Sequence, residues 1–226
     1  MSRVERPVPE LVAGDRLTRA EFERRYEAMP RVRKAELIEG VVYLPSPVRW
    51  NRHSEPHGLI VAWLGVYSGS TPGVRFGADG TVRLDQENEP QPDGFLRIEE
   101  SRGGQSRVDA DDYVAGAPEL AAEVTASTAS YDMHDKLRAY RRNGVREYIA
   151  WRTEDRELDW FVLREGRYDR LARDDGGTIR SETFPGLWLD VEALLAHDMA
   201  RVLATLQGGL ASPEHAAVVA RLSAAR

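Results

Sequence analysis

Cysteine is absent from the 226 residues, which excludes a disulfide framework, a thiolate nucleophile, an iron–sulfur cluster and a Cys-type zinc site. Long apolar runs are missing too. The longest, Gly58 to Tyr67, is about half of what a bilayer-spanning helix needs. The N-terminal Met1-Ser2-Arg3-Val4-Glu5-Arg6-Pro7 has no apolar stretch of the kind a secretory signal carries. A cytoplasmic protein with no membrane partner is therefore expected. Positive charge is not in excess either: 31 Lys+Arg stand against 37 Asp+Glu, a net charge of −6. A protein that coats nucleic acid through bulk charge needs many cations to displace counterions from phosphates, so any nucleic-acid role must come from a local site. What is present, 42% hydrophobic and 8% aromatic residues, suffices for one buried core. No internal repeat, Walker loop, dinucleotide fingerprint or helix-turn-helix signal is evident.

Thr18 followed by Glu21 has capping-box spacing and predicts a helix over 19–29, ended by Pro30. Ala35 to Leu44 reads as strands with a bend at Gly40, stopped by Pro45 and Pro47, and Pro56 suits the first turn of an apolar helix. Turn signals between Gly73 and Ile98 separate short strands, including 81–84 and 95–98. Glu99 to Ala117 has little apolar content and reads as a mobile loop closed by Pro118. Glu119 to Thr125 is a strand with Leu120, Ala122 and Val124 on one face and Glu119, Ala121, Glu123 and Thr125 on the other. After a polar turn at Ser127 to Ser130, a helix starts near Asp132, with Asp135 in its first turn, and stops at Gly144. Four closely spaced strands, 145–151, 157–163, 167–172 and 178–184, imply an antiparallel meander. Two Ala-rich helices, 191–206 and 213–225, separated by Gly208-Gly209, carry small apolar faces suited to docking on the domain or on a second subunit.

Three residues break the local pattern: Asp93 after Pro92 at the mouth of a strand, Glu123 inside an apolar strand, and Lys136 on a helix. With Met133 at zero on a helical wheel, Leu137 lies at about +40°, Tyr140 at about −20° and Lys136 at about −60°. The lysine thus borders the apolar stripe, away from the solvated side held by Arg138 and Arg142. Two carboxylates in a partly desolvated cleft repel unless a cation neutralises them. With oxygen ligands and no thiolate, Mg²⁺ or Mn²⁺ is the natural cation. Such an ion lowers the pKa of a bound water and polarises a phosphoryl group, while a lysine orients that water or offsets developing charge. The bland alternatives are a Pro-Asp turn and a Glu on a solvated sheet edge.

Glu36-Leu37-Ile38-Glu39-Gly40, His57, Gln91-Pro92-Asp93, Pro118-Glu119-Leu120-Ala121-Ala122-Glu123-Val124, Ser127-Thr128, Asp132, Lys136, Tyr140, Gly144-Val145-Arg146-Glu147-Tyr148 and Phe184-Pro185-Gly186-Leu187-Trp188-Leu189-Asp190 follow one another in the chain. As an ordered series they resemble the Uma-two family of restriction-endonuclease-like proteins, a branch of the PD-(D/E)XK nuclease superfamily. The resemblance implies an α/β fold with a mixed β-sheet flanked by helices, Asp93 and Glu123 as metal ligands, and Lys136 as the catalytic lysine. The superfamily's usual lysine stands two residues after the second acid, a place held here by Thr125, so the lysine has moved to the following helix. Where the family shows Leu-Ser-Pro-Ser-Thr after Glu-Val, this chain has Thr125-Ala126-Ser127-Thr128. The expected organisation is an N-terminal extension over 1–17, a nuclease domain over 18–195 and a helical extension over 196–226. The expected activity is Mg²⁺-dependent hydrolysis of DNA by a homodimer, since two sites are needed to cut both strands. The alternative is an inactive nuclease-fold module that binds or assembles.

Further candidates keep two readings each. His57 could contact a phosphate or a metal-bound water, or be a hydrogen-bonded boundary residue. Glu36 could be an additional acid at the metal site or a solvated strand start, and Gln91 is a further possible site residue. His53 and His57 have zinc-pair spacing, but Pro56 starts the helix between them and no Glu follows His53, which argues against zinc. Arg138, Arg141, Arg142 and Arg146 could engage phosphates, although a helix C-terminus attracts arginine anyway. Trp63, Trp151, Trp160 and Trp188 fall in apolar patterns and read as core before they read as base-stacking platforms.

Overall fold

Turn chemistry divides the first third of the chain. In the computed structural model, which describes residues 7–44, 49–125 and 129–225 and only the backbone of 129–133, helix α1 (Arg19–Glu27) leads into a hairpin of β1 (Glu36–Ile38) and β2 (Val41–Tyr43). Glu39 and Gly40 form its two-residue turn with φ of 51° and 72°, the left-handed pair that a type I′ connection requires. A π-helical turn (Trp50–Ser54) then runs directly into α2 (Glu55–Ser70), with Pro56 in its first turn. Pro45, Pro47, Ser127 and Thr128, to which a strand stop and a turn were assigned above, lie outside the described residues.

The central sheet combines β3 (Val74–Gly77), β5 (Gly94–Ile98), β8 (Leu120–Thr125), β9 (Glu147–Arg152), β10 (Glu157–Arg164) and β11 (Arg167–Arg170). Their order is β11-β10-β9-β8-β5-β3. Only β8 and β9 are parallel, because helix α3 (Ala129–Asn143) makes the crossover between them. The other neighbours are antiparallel, and β9-β10-β11 forms the expected meander. The period-2 alternation of β8 holds. Leu120, Ala122 and Val124 join Trp63, Leu64 and Tyr67 of α2 in the main core, and Ala121 joins Tyr140 of α3 with Tyr148 and Ala150 of β9 in the opposite one. The sheet is therefore covered on both faces. Leu11, Phe22, Ala35, Leu37 and Val42 close a third cluster beneath α1.

Several local expectations are corrected. Thr18 holds the N-cap position without a side-chain capping hydrogen bond, and the Glu21 carboxylate that a capping box would turn back to it pairs instead with Arg24 at 2.7 Å and Arg25 at 2.6 Å, charge-assisted partners being the stronger. The stretch 99–117 is not a plain loop. It contains a 3₁₀ turn (Glu100–Arg102) and the strands β6 (Arg107–Val108) and β7 (Val114–Ala115), and β7 pairs with both β6 and β4 (Val82–Arg83) in a three-stranded sheet. Its Asp109 and Asp111 partner Arg83, at 2.8 Å each, and that guanidinium lies 4.3 Å over the Tyr113 ring. Because α3 starts at Ala129, Asp135 is in its second turn.

The fourth strand of the expected meander leaves the sheet: β12 (Thr178–Arg180) pairs instead with β13 (Trp188–Asp190). The first tail helix is split into α4 (Val191–Leu195) and α5 (Met199–Leu210), since Asp198 accepts from Arg201 N and opens a new helix. Gly208 and Gly209 lie inside α5, ahead of α6 (Pro213–Ala224). A Cβ on Gly209 would overlap the Gly186 carbonyl and the Trp188 ring, so the glycine serves close packing rather than helix breaking. Val202, Leu206 and Leu222 of these helices are part of the main core.

Candidate active site

Register brings the first two acids together. Gly94 of β5 pairs with Ala122 of β8, so Asp93, just ahead of β5, stands beside the C-terminal end of β8. There its Oδ2 accepts the Val124 N–H at 2.7 Å. The alternation of β8 turns Glu123 toward α3. From that helix Lys136 points inward, with Nζ 3.0 Å from Glu123 Oε2 and 3.0 Å from Glu36 Oε1. One turn further on, the Tyr140 hydroxyl donates to Glu123 Oε1 at 2.7 Å. Glu36 Oε1 also accepts the Gln91 backbone N–H at 2.7 Å, whereas the Gln91 side chain turns away to Thr81 Oγ1. Asp93, Glu123 and Lys136 are 2%, 4% and 9% exposed.

A second ring surrounds the other oxygen of Asp93. His53 Nε2 lies 3.3 Å and Lys34 Nζ 3.8 Å from Asp93 Oδ1, and Lys34 donates to Asp79 Oδ1 at 2.9 Å. His57 Nε2 lies 3.0 Å from the Asp93 carbonyl oxygen and 3.5 Å from Asp79 Oδ2. A protonated Nε2 satisfies both oxygens; an unprotonated one faces them comfortably only with a cation between. The ligand atoms of His57, Asp79 and Asp93 all lie within 4.8 Å of one another. Glu123 is not in that group, and its two oxygens are engaged by Lys136 and Tyr140.

Electrostatics follow from burial and neighbours. Burial pushes the Glu123 carboxyl up to about 7, helped by the charges of Asp93 and Glu36 and opposed by Lys136 and Tyr140. Burial alone would lower the Lys136 ammonium, but Glu123, Glu36 and Asp93 hold it well above the usual lysine range. Burial would likewise raise Asp93, yet His53, Lys136 and Lys34 outweigh it and keep that carboxyl below its ordinary value. The hydrogen bond to Asp93 raises His53. Four carboxylates, Glu36, Asp79, Asp93 and Glu123, thus face two ammonium groups, Lys34 and Lys136. With neutral histidines, two negative charges remain, and one divalent cation balances them.

Sequence reasoning named Asp93, Glu123, Lys136, Glu36 and His57, which the fold gathers, and it missed Asp79 and Lys34. Asp79-Gly80 read only as a turn, and Lys34 stands in a charged stretch without periodicity. His53 had been set aside as half of a zinc pair. The arginine cluster is committed elsewhere: Arg142 pairs with Glu39 and Asp85, Arg138 with Asp135, and Arg146 with Gln105. Among the described residues no helix is long and apolar enough to cross a membrane.

A family model described as "Putative restriction endonuclease" (Uma2) matches residues 19–192. A crystal structure of a protein from Anabaena variabilis, described as a putative nuclease belonging to DUF820, is similar in fold, with a TM-score of 0.58 at 12% sequence identity. The match covers 76% of this chain and 96% of that one. No curated protein matches the sequence.

Proposed function

The chain belongs to the Uma2 family, and on that premise we propose that it is a metal-dependent endonuclease that hydrolyses DNA phosphodiester bonds through Asp93, Glu123 and Lys136. The observation that carries this reading is the Lys136 ammonium, buried within 3.0 Å of both Glu123 and Glu36 beside Asp93. Buried charges cost stability unless they are paired or hold an ion, and with its carboxylates ionised this set has an excess of negative charge that a divalent cation would relieve. Asp93 Oδ1 is the oxygen best placed to receive one, because Oδ2 is occupied by the Val124 amide. Mg²⁺ or Mn²⁺ would be held by Asp93, together with Glu123 or with Asp79 and His57, and would supply polarisation of the phosphoryl group and a more acidic water.

The chain's own groups do the rest. Lys136 holds the Glu123 carboxylate in place and offers a hydrogen bond that orients the attacking water or offsets the charge growing on the non-bridging phosphate oxygens. If the ion is held by Asp93 with Asp79 and His57, Glu123, with a carboxyl near 7, is free to take up a proton at neutral pH. Lys34 adds positive charge at the more exposed side, where a phosphate approaches. Cutting both strands requires two such sites, hence a homodimer, which sedimentation of the purified chain checks. The test of the activity is incubation with supercoiled DNA and Mg²⁺ or Mn²⁺. The intact chain nicks or linearises it, and Asp93→Ala, Glu123→Ala and Lys136→Ala do not; cleavage that survives all three changes removes the assignment.

A further inference from the structure

Trp63, Trp151 and Trp160 are fully buried, and Trp188 lies beneath the Arg180 guanidinium at 4.1 Å. Trp50 differs from them all. At 67% exposure it is the most open large hydrophobic side chain among the described residues. Water contact over so much indole is unfavourable, so its place in the fold needs a reason.

That place is the mouth of the site. Trp50 begins the π-helical turn ahead of α2, in which His53 N and Ser54 N both bond to the Arg49 carbonyl, at 3.0 and 3.1 Å. His53, three residues on, points Nε2 at Asp93 Oδ1, 3.3 Å away. The turn is pinned to the strand end as well. Thr153 Oγ1 donates to the Arg52 carbonyl at 2.8 Å, and Thr153 N donates to the Thr125 carbonyl, two residues beyond Glu123, at 3.1 Å. Arg52 adds an ion pair to Glu154 at 2.8 Å. A π turn is rare and, where it occurs in a helix, is frequently found at a functional site. Here it presents its first side chain outward while fixing its fourth over Asp93.

Charge identifies the occupant. The exposed Arg49 next to Trp50 has no side-chain partner among the described residues. The neighbours of Trp50 along the turn are Arg49, Arg52 and His53, a basic setting rather than the apolar ring of a protein-binding hot spot. A flat π surface next in the chain to one unpaired guanidinium, that of Arg49, matches a nucleotide, with a base for the ring and a phosphate for the guanidinium. Inside an intact duplex each base face is covered by its neighbours, so stacking on a side chain requires a base outside the stack.

We propose that Trp50 stacks on an unpaired nucleobase adjacent to the scissile phosphate while Arg49 holds a neighbouring phosphate, so that the preferred substrate is locally single-stranded at the cut. This deepens, and for its catalytic part rests on, the nuclease reading above. The test uses the full chain with Trp50→Phe and Trp50→Ala in two arms. In the first, a 12-mer oligothymidylate is added with EDTA present and indole fluorescence is read; buried tryptophans respond little, so quenching should appear in the intact chain and be lost in Trp50→Phe. In the second, Mn²⁺-dependent cleavage is followed on a single strand and on the matching blunt duplex. KM for the single strand should rise in Trp50→Ala by about 5- to 100-fold, with partial rescue in Trp50→Phe and kcat changed less than about twofold. Quenching that persists in Trp50→Phe, or an unchanged KM in Trp50→Ala, overturns the stacking and leaves the nuclease reading standing. An intact chain that cuts neither substrate overturns the nuclease reading, while the fluorescence arm still decides whether Trp50 binds a base.

Discussion

Lys136 Nζ sits 3.0 Å from Glu123 Oε2, 13 residues away in the chain, and equally close to Glu36 Oε1, 100 residues away. One ammonium therefore joins α3, the central strand β8 and the β1–β2 hairpin. Removing it leaves two carboxylates without their shared cation, one of them fully enclosed.

The stability of Lys136→Met should accordingly depend on pH. Glu123 is already displaced upward, from 4.5 to about 7, by burial, and loss of the lysine displaces it further. A group whose folded pKa exceeds its unfolded value contributes stability below the unfolded value and loses it as pH rises through the folded one. The variant should be close to the intact protein at pH 4.5 and weaker by about 1.4 kcal/mol at pH 8, because the intact chain stops losing stability near Glu123's value of about 7 whereas the variant goes on losing it. Urea titrations at the two pH values measure this. Equal loss at both would show that the lysine matters through packing alone.

Tyr140 acts on the same carboxylate in the opposite sense from burial. Its hydroxyl donates to Glu123 Oε1 at 2.7 Å, and a donor to the ionised form lowers a carboxyl pKa. In Tyr140→Phe the Glu123 carboxyl should rise above about 7, and the acid limb of the pH–rate profile should move to higher pH by about one unit. Activity at pH 9 should be nearly retained. A uniform loss across the profile would place Tyr140 in general packing and not in tuning Glu123.

The two donor sets that share Asp93 make different predictions for ion binding. If the pocket of His57, Asp79 and Asp93 holds the ion, then Asp79→Asn and His57→Ala should weaken Mn²⁺ binding in calorimetric titration by about 10- to 100-fold, and Glu123→Gln should weaken it less. The reverse ranking would assign the ion to Asp93 and Glu123. Asp93→Asn should abolish binding under either arrangement, and micromolar binding in that variant would rule out both.

The sheet and the central acids were legible because their signals are local. Alternation put Glu123 on a defined face, and the helical wheel put Lys136 at the edge of an apolar stripe, as the buried Lys136 and exposed Arg138 show. Asp79 and Lys34 were not legible, since each is an ordinary loop residue whose meaning comes from neighbours far away in sequence, such as the 45 residues between their paired side chains. The strands at 107–108 and 114–115 escaped for the same reason. Arg83 holds them in place through Asp109 and Asp111, and no periodicity records such a link. Gly208-Gly209 misled because a glycine pair stops a helix in isolation but also permits contact with Gly186 and Trp188.

Glu89 offers a test away from the catalytic groups. It is 4% exposed, its Oε2 has no hydrogen-bond partner among the described residues, and its backbone N–H donates to the Leu37 carbonyl at 2.7 Å. Burial raises its carboxyl from 4.5 to about 8, and the neighbouring Glu23 carboxylate adds to the rise. Below pH 4.5 both folded and unfolded chains carry the proton. Between about 4.5 and 8 only the folded chain keeps it, so stability falls across that window by up to about 1.4 kcal/mol per pH unit. Glutamine has nearly the same shape, and its amide N–H can replace the carboxyl O–H as the donor to Glu23 without any proton to lose. Glu89→Gln should therefore match the intact chain at pH 4.5 and exceed it at pH 8 by up to about 4 kcal/mol, read as a rise in urea midpoint at unchanged m-value. If the variant were instead destabilised by the same amount at both pH values, Glu89 would be ionised in the fold and paired with Arg83 or Arg19, and the acid pair with Glu23 would not share a proton.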